Sequence, residues 1–72
     1  MFVIKTRSMG SRIALKGLGL GSRSRPNSSS LDWTTCKGDY LLLSYEEAES
    51  VIQFIIDVID YELEDDLYIS EV

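Results

Sequence analysis

The chain has no histidine, and its one cysteine, Cys36, has no second thiol to pair with. An intrachain disulfide is therefore excluded, and a structural zinc site built from Cys and His is excluded with it. The absence of histidine also removes the side chain that most often works as a general base near neutral pH. Apolar runs are short. No stretch reaches the ~18 residues that a membrane-spanning helix requires, and Lys5, Arg7, Arg12 and Lys16 interrupt every apolar run near the N-terminus. That segment has the Arg- and Ser-rich, acid-free composition of an organelle transit peptide. Gly10, Gly17, Gly19 and Gly21 would spoil the amphipathic helix such a peptide uses. A lone cysteine fits a reducing compartment, and the reading is of a cytoplasmic protein without a membrane segment.

Acids and bases are each missing from one part of the chain. Residues 1–26 hold Lys5, Arg7, Arg12, Lys16, Arg23 and Arg25 and no acid. Residues 27–72 hold Lys37 and all twelve Asp and Glu, so the net charge of −5 conceals a +6 front and a −11 back. Either the two parts attract each other within the fold, or they form two faces that steer different partners.

Seventy-two residues make one small domain, spanning residues 1–72. A chain of this size buries only about 60% of its unfolded surface. Without a disulfide or a metal, its stability must come from packing or self-association.

Phe2, Val3 and Ile4 open a strand that runs to Thr6 or Arg7. Residues 11–16 (SRIALK) are a second strand or a helical turn; six residues do not decide between them by periodicity. Residues 17–30 (GLGLGSRSRPNSSS) read as a flexible basic Gly/Ser-rich loop. Trp33, Thr34 and Thr35 make residues 31–36 a strand. Lys37-Gly38 then reads as a tight turn and Tyr40–Leu43 as the returning strand of a hairpin. Within this hairpin, Cys36 is expected to be a small buried residue, and Trp33 a core anchor.

A long C-terminal helix follows. Ser44 and Glu47 have the spacing of a capping box, and Glu46 and Glu47 suit the positive end of a helix dipole. The helix should run from Tyr45 to Ile59 or Leu63, with a break at Asp65-Asp66 and a last strand at 67–70. On a helical projection Val51, Ile52, Phe54, Ile55, Ile56, Val58 and Ile59 cover an arc of about 200°, wider than the ~100° stripe that one core contact needs. Each such side chain is worth roughly 1.5–3 kcal/mol when fully buried. This width predicts a homodimer through Val51, Phe54, Ile55 and Val58, unless the N-terminal segment covers the second side. The opposite face carries Glu46, Glu49, Gln53, Asp57, Asp60 and Glu64, spaced 3, 4, 4, 3 and 4 residues apart. On a continuous helix these form one stripe about 27 Å long. No Lys or Arg lies between Gly38 and Val72 to pair with it. The stripe is either a solvated face or a docking surface for a basic partner, its carboxylates standing where nucleic-acid phosphates would.

The glycine-rich stretch does not match a phosphate-binding loop. It lacks the lysine of G-x-x-x-x-G-K-[ST], and Pro26, Asn27 and three serines follow it where a helix should begin. It also misses the spacing and context of a dinucleotide fingerprint. It remains a connector or a basic arm that tracks a phosphate backbone, with Arg7, Arg12, Lys16, Arg23 and Arg25 as the contacts. Stacking platforms for bases are missing, because Phe2 is the only aromatic residue before Trp33. Catalysis finds no support: Cys36 has no histidine partner, the carboxylates lack an apolar pocket that would separate their pKa values, and Asp65-Asp66 lacks the spacing of a calcium loop. The sequence thus calls for no cofactor and no metal.

The FVIK opening, the Trp-containing segment 31–43 and the run LSYEEAESVIQFI together resemble short bacteriophage early proteins. That resemblance implies a small cytoplasmic viral protein that binds a host protein, such as a defence or nucleic-acid-handling protein, and inhibits or modulates it. The reading is an α+β protein: a short antiparallel sheet of three to four strands packed on one long amphipathic C-terminal helix. Its function is non-enzymatic protein binding through the acidic helix face. The alternatives are nucleic-acid binding by residues 5–25 and purely structural self-association.

Overall fold

Aromatic and β-branched residues at the front form a strand, as their preference for a pleated surface dictates. In the computed structural model, which describes residues 1–18 and 31–72, strand β1 is Phe2–Thr6. It pairs antiparallel with β4 (Leu67–Glu71), the register running from Phe2 opposite Glu71 to Thr6 opposite Leu67. Backbone bonds extend this ladder at both ends: Val72 N–H donates to the Met1 carbonyl at 3.0 Å, and Arg7 N–H to the Asp66 carbonyl at 2.9 Å.

Of residues 11–16, only Ala14–Lys16 are strand, and Ser11–Ile13 belong to the connection before it. Strand β2 (Ala14–Leu18) pairs antiparallel with β3 (Leu31–Thr34). The register slips between Leu15 and Gly17, which leaves Lys16 as the extra residue of a bulge and exposes it. Gly17 and Leu18, read from sequence as the start of a loop, are therefore strand. The remainder of that loop, with Arg23 and Arg25, lies outside the described residues.

The hairpin expected between residues 31–36 and 40–43 does not form. Lys37–Asp39 is a single 3-10 turn, closed by Asp39 N–H on the Cys36 carbonyl and Tyr40 N–H on the Lys37 carbonyl. It turns the chain away from β3. Leu41 N–H then bonds the Leu15 carbonyl of β2 at 3.0 Å, while Leu43 and Phe2 exchange two backbone bonds at 2.8 and 2.9 Å. Residues 41–43 thus lie between β2 and β1 and join them. The result is two antiparallel sheets of two strands each, rather than one sheet of three to four strands.

The helix begins where its cap predicts. Glu47 N–H donates to the Ser44 hydroxyl at 3.1 Å, and Ser44 N–H to the Glu47 carboxylate at 3.0 Å. Helix α1 runs Tyr45–Phe54 and widens into a π-helical turn at Ile55–Ile59. The β-branched run Ile55, Ile56, Val58 and Ile59 crowds an α-helical turn, and the turn closes with Asp60 N–H reaching the Ile55 carbonyl five residues back, at 2.8 Å. The helical segment ends there, 15 residues long, short of the longer limit that the sequence suggested. Asp60 is extended at φ −160° and caps a separate 3-10 turn, Tyr61–Asp65.

Ile4, Leu15, Leu31, Leu43, Ala48, Ile55 and Leu67 form the core, drawn from every strand and the helix. Thr6 is buried, and its hydroxyl accepts from Met9 N–H at 3.2 Å. Among the described residues no buried side-chain polar atom is left without a partner, as a stable small core requires. Trp33 packs against the core as expected, but Cys36, expected inside, is exposed.

Candidate functional site

Two charged features stand out, and the fold positions each differently. The first is the outer side of α1. Glu46, Glu49, Gln53 and Asp57 are all exposed and share one helical face. Gln53 Nε2 donates to Asp57 Oδ1 at 2.9 Å, one turn on. The stripe ends at this point. Asp60 has left the helix and spends its carboxylate on Glu62 N–H at 3.0 Å, and Glu64 belongs to the following 3-10 turn. The continuous acidic face is therefore about 17 Å long, and the six-residue stripe expected from the sequence is shortened to four.

At the head of this face the Glu47 carboxyl is held below its usual value of 4.5. The backbone N–H of Ser44 is the main cause and the Ser44 hydroxyl the second; desolvation opposes them weakly. The cap therefore favours a charged helix N-terminus at neutral pH.

The apolar side of the helix behaves differently from the expectation. Val51, Ile52, Phe54, Ile56 and Ile59 are half-buried, and all but Phe54 pack against the core; Ile55 has no exposed surface at all. Ile55 is a core residue and cannot face a second copy. Of the four positions expected to carry self-association, Val58, 48% exposed, is the most open to solvent, and Val51 and Phe54 are half-buried. Val58 lines a shallow depression of about 380 Å³ with Asp57 and Tyr61.

The second feature is a cleft of about 820 Å³ on the other side of β1. Strand alternation puts Ile4 in the core and turns Val3 and Lys5 to the opposite face, where both line the cleft. Arg12 enters from the β1–β2 connection, and Lys37 from the 3-10 turn after β3. Two hydrogen bonds fix the connection in place: Lys5 Nζ donates to the Ser11 carbonyl at 2.7 Å, and Tyr40 Oη to the Arg12 carbonyl at 2.6 Å. Gly10, at φ 85°, supplies the left-handed backbone that lets the chain turn there. The described residues contain five Lys or Arg side chains, and three of them meet in this cleft.

The basic segment does not act as one run. Arg12 joins the cleft, Arg7 lies over the Tyr68 ring at 5.7 Å, and Lys16 projects from the β2 bulge. Lys5, which the sequence placed only within the basic segment 5–25, and Lys37, which it did not nominate, supply the other two charges. Nothing in linear spacing could have found this trio. It depends on the register of β2 against β3, which brings Ala14 opposite Thr34.

Among the described residues no group of three or more His, Cys, Asp or Glu comes together to hold a metal ion, and no helix is long and apolar enough to cross a membrane. These features define a small α+β protein with charge segregated between a helix face and a cleft. No protein-family model, curated protein or solved structure matches the chain.

Proposed function

We propose that the protein is a non-enzymatic binding module that docks the outer face of α1 on a basic surface of a partner protein. The observation that supports this is the conjunction of a capped helix, packed on the core through its inner side, with Glu46, Glu49, Gln53 and Asp57 exposed along the outer side. No Lys or Arg follows Gly38 to neutralise that face. A rigid row of carboxylates steers a positively charged surface and fixes its register. The resemblance to phage early proteins makes a host protein that handles nucleic acid the natural target, the carboxylates taking the place of phosphates.

The test is capture from nuclease-treated bacterial lysate at low and moderate salt. The intact protein is compared with the triple variant Glu46→Gln, Glu49→Gln, Asp57→Asn and with a control, Glu62→Gln, Asp65→Asn, that removes acids off the face. A discrete protein retained by the intact chain and the control, weakened by salt and lost by the triple variant, is the expected result. Retention that ignores the triple variant, or capture of added nucleic acid alone, overturns the reading.

A further inference from the structure

We propose that the cleft between β1, the β1–β2 connection and the 3-10 turn after β3 binds a small phosphorylated, hydroxyl-bearing molecule of sugar-phosphate or nucleotide size. This does not rest on the helix-face reading. Lys5, Arg12 and Lys37 come from three separate segments and converge on one concavity in a protein whose net charge is −5. Glu71 lines the same cleft and offsets one of the three charges; the excess of like charge that remains costs free energy unless an anion relieves it.

Donor chemistry sets the ligand class. Lys5 spends one of its three Nζ hydrogens on the Ser11 carbonyl, leaving two, while the Arg12 fork and the Lys37 ammonium add up to eight more. The hydroxyl-bearing residues Ser11 and Thr35 line the same wall. That supply exceeds what a carboxylate accepts and suits the three free oxygens and double charge of a phosphate monoester. Volume sets the size. About 820 Å³ falls in the range of small-molecule sites, roughly 300–1,000 Å³, and far exceeds a bare ion. Glu71, which also lines the cleft, is an acceptor, suited to hydroxyls on the rest of the ligand rather than to its phosphate.

Preorganisation supports the same conclusion. The Tyr40 hydroxyl and Lys5 both grip carbonyls of the connection that carries Arg12, so the guanidinium is presented from an anchored backbone. The cleft lies by Arg12 and Thr35, next to the Ala14–Thr34 end of the β2–β3 ladder. The Leu18–Leu31 pair closes the ladder at its other end.

The experiment is a titration of the full chain followed by amide chemical shifts, with ribose 5-phosphate, ribose and a short single-stranded oligonucleotide lacking terminal phosphates as probes. The comparison is the double variant Arg12→Gln, Lys37→Gln, with Lys16→Gln as a control that removes a cation outside the cleft. Both altered cleft positions are exposed, and the spectra report whether each variant is folded. Ribose 5-phosphate is expected to shift the amides of Lys5, Ser11, Arg12, Thr35 and Lys37, and ribose to leave them unmoved. The double variant should weaken binding about tenfold or more, the scale of one lost charge-assisted hydrogen bond, with Lys16→Gln unaffected. No shift at these amides at millimolar ribose 5-phosphate overturns the proposal. So does equal binding by the double variant, or tighter binding of the oligonucleotide through the same amides.

Discussion

Ser44 and Glu47 exchange two hydrogen bonds across three residues, and the exchange makes the helix start sensitive to acid. Glu47 titrates below 4.5 in the folded chain because Ser44 N–H and the Ser44 hydroxyl favour its charged form. The unfolded chain therefore binds this proton more readily than the folded one. The stabilisation is fully present above the ordinary carboxylate value and is lost as pH falls through the depressed folded value. Glu47→Gln keeps a side-chain oxygen for Ser44 N–H but removes the charge. The wild type should exceed Glu47→Gln in urea midpoint at neutral pH, and that difference should shrink to nothing as pH drops well below 4.5. A gap that persists in acid would show that the charged form is not what the cap stabilises. Ser44→Ala, which removes the hydroxyl itself, should cost about 0.5–2 kcal/mol at neutral pH.

At the scale of elements, the sequence was legible wherever the signal was local. The capping box, β1 and β4 each depend on a few adjacent residues, and each lies where those residues put it; the helix instead breaks at Asp60, ahead of the break expected at Asp65-Asp66. The pairing of residues 40–43 was not legible, because Lys37-Gly38-Asp39 is equally compatible with a hairpin turn and with the 3-10 turn that forms. What decides between them lies far off in sequence: Leu41 bonds Leu15, and Leu43 bonds Phe2. The cationic cleft was hidden for the same reason, since its three charges meet only after the sheets form. The helix ends at Ile59, the nearer of its two expected limits; it is the acidic stripe that the sequence overextends, because a periodicity that continues through Asp60 and Glu64 says nothing of β-branched crowding in the turn before them. Segment 41–43 also yields a prediction. Tyr40 is already extended at ψ 137°, a conformation a following proline accepts, so Leu41→Pro chiefly deletes the N–H that bonds Leu15. The Leu15 carbonyl then loses a partner at a cost of about 1–3 kcal/mol. The urea midpoint should fall accordingly, and the Phe2 amide, bonded to Leu43, should exchange faster. Unchanged exchange at Phe2 would mean that the two sheets are held together without this segment.

Over the whole molecule, salt should act in opposite directions on its two kinds of association. Docking of the α1 face on a basic partner joins unlike charges, so added salt weakens it. Self-association through the same helix joins like charges. A two-fold interface would place Val58 near its own copy and bring Asp57 and Asp60 of both copies close together. The single chain already buries most of the broad apolar arc, so Val58 at 48% and Tyr61 at 72% exposure are the most open large apolar side chains left to drive a dimer from this side. Two such side chains are worth only a few kcal/mol when fully covered, a gain that lost rotational and translational freedom readily offsets. The expected state at low salt is therefore monomer. Screening by salt removes the repulsion, whose reach is about 8 Å at physiological ionic strength, and leaves the apolar contact, so sedimentation at rising salt should shift the wild type toward dimer. Val58→Asp should stay monomeric throughout, because it removes the contact and adds to the repulsion. A dimer already complete at low salt and indifferent to Val58→Asp would place self-association elsewhere and leave the acidic face free for a partner in every oligomeric state.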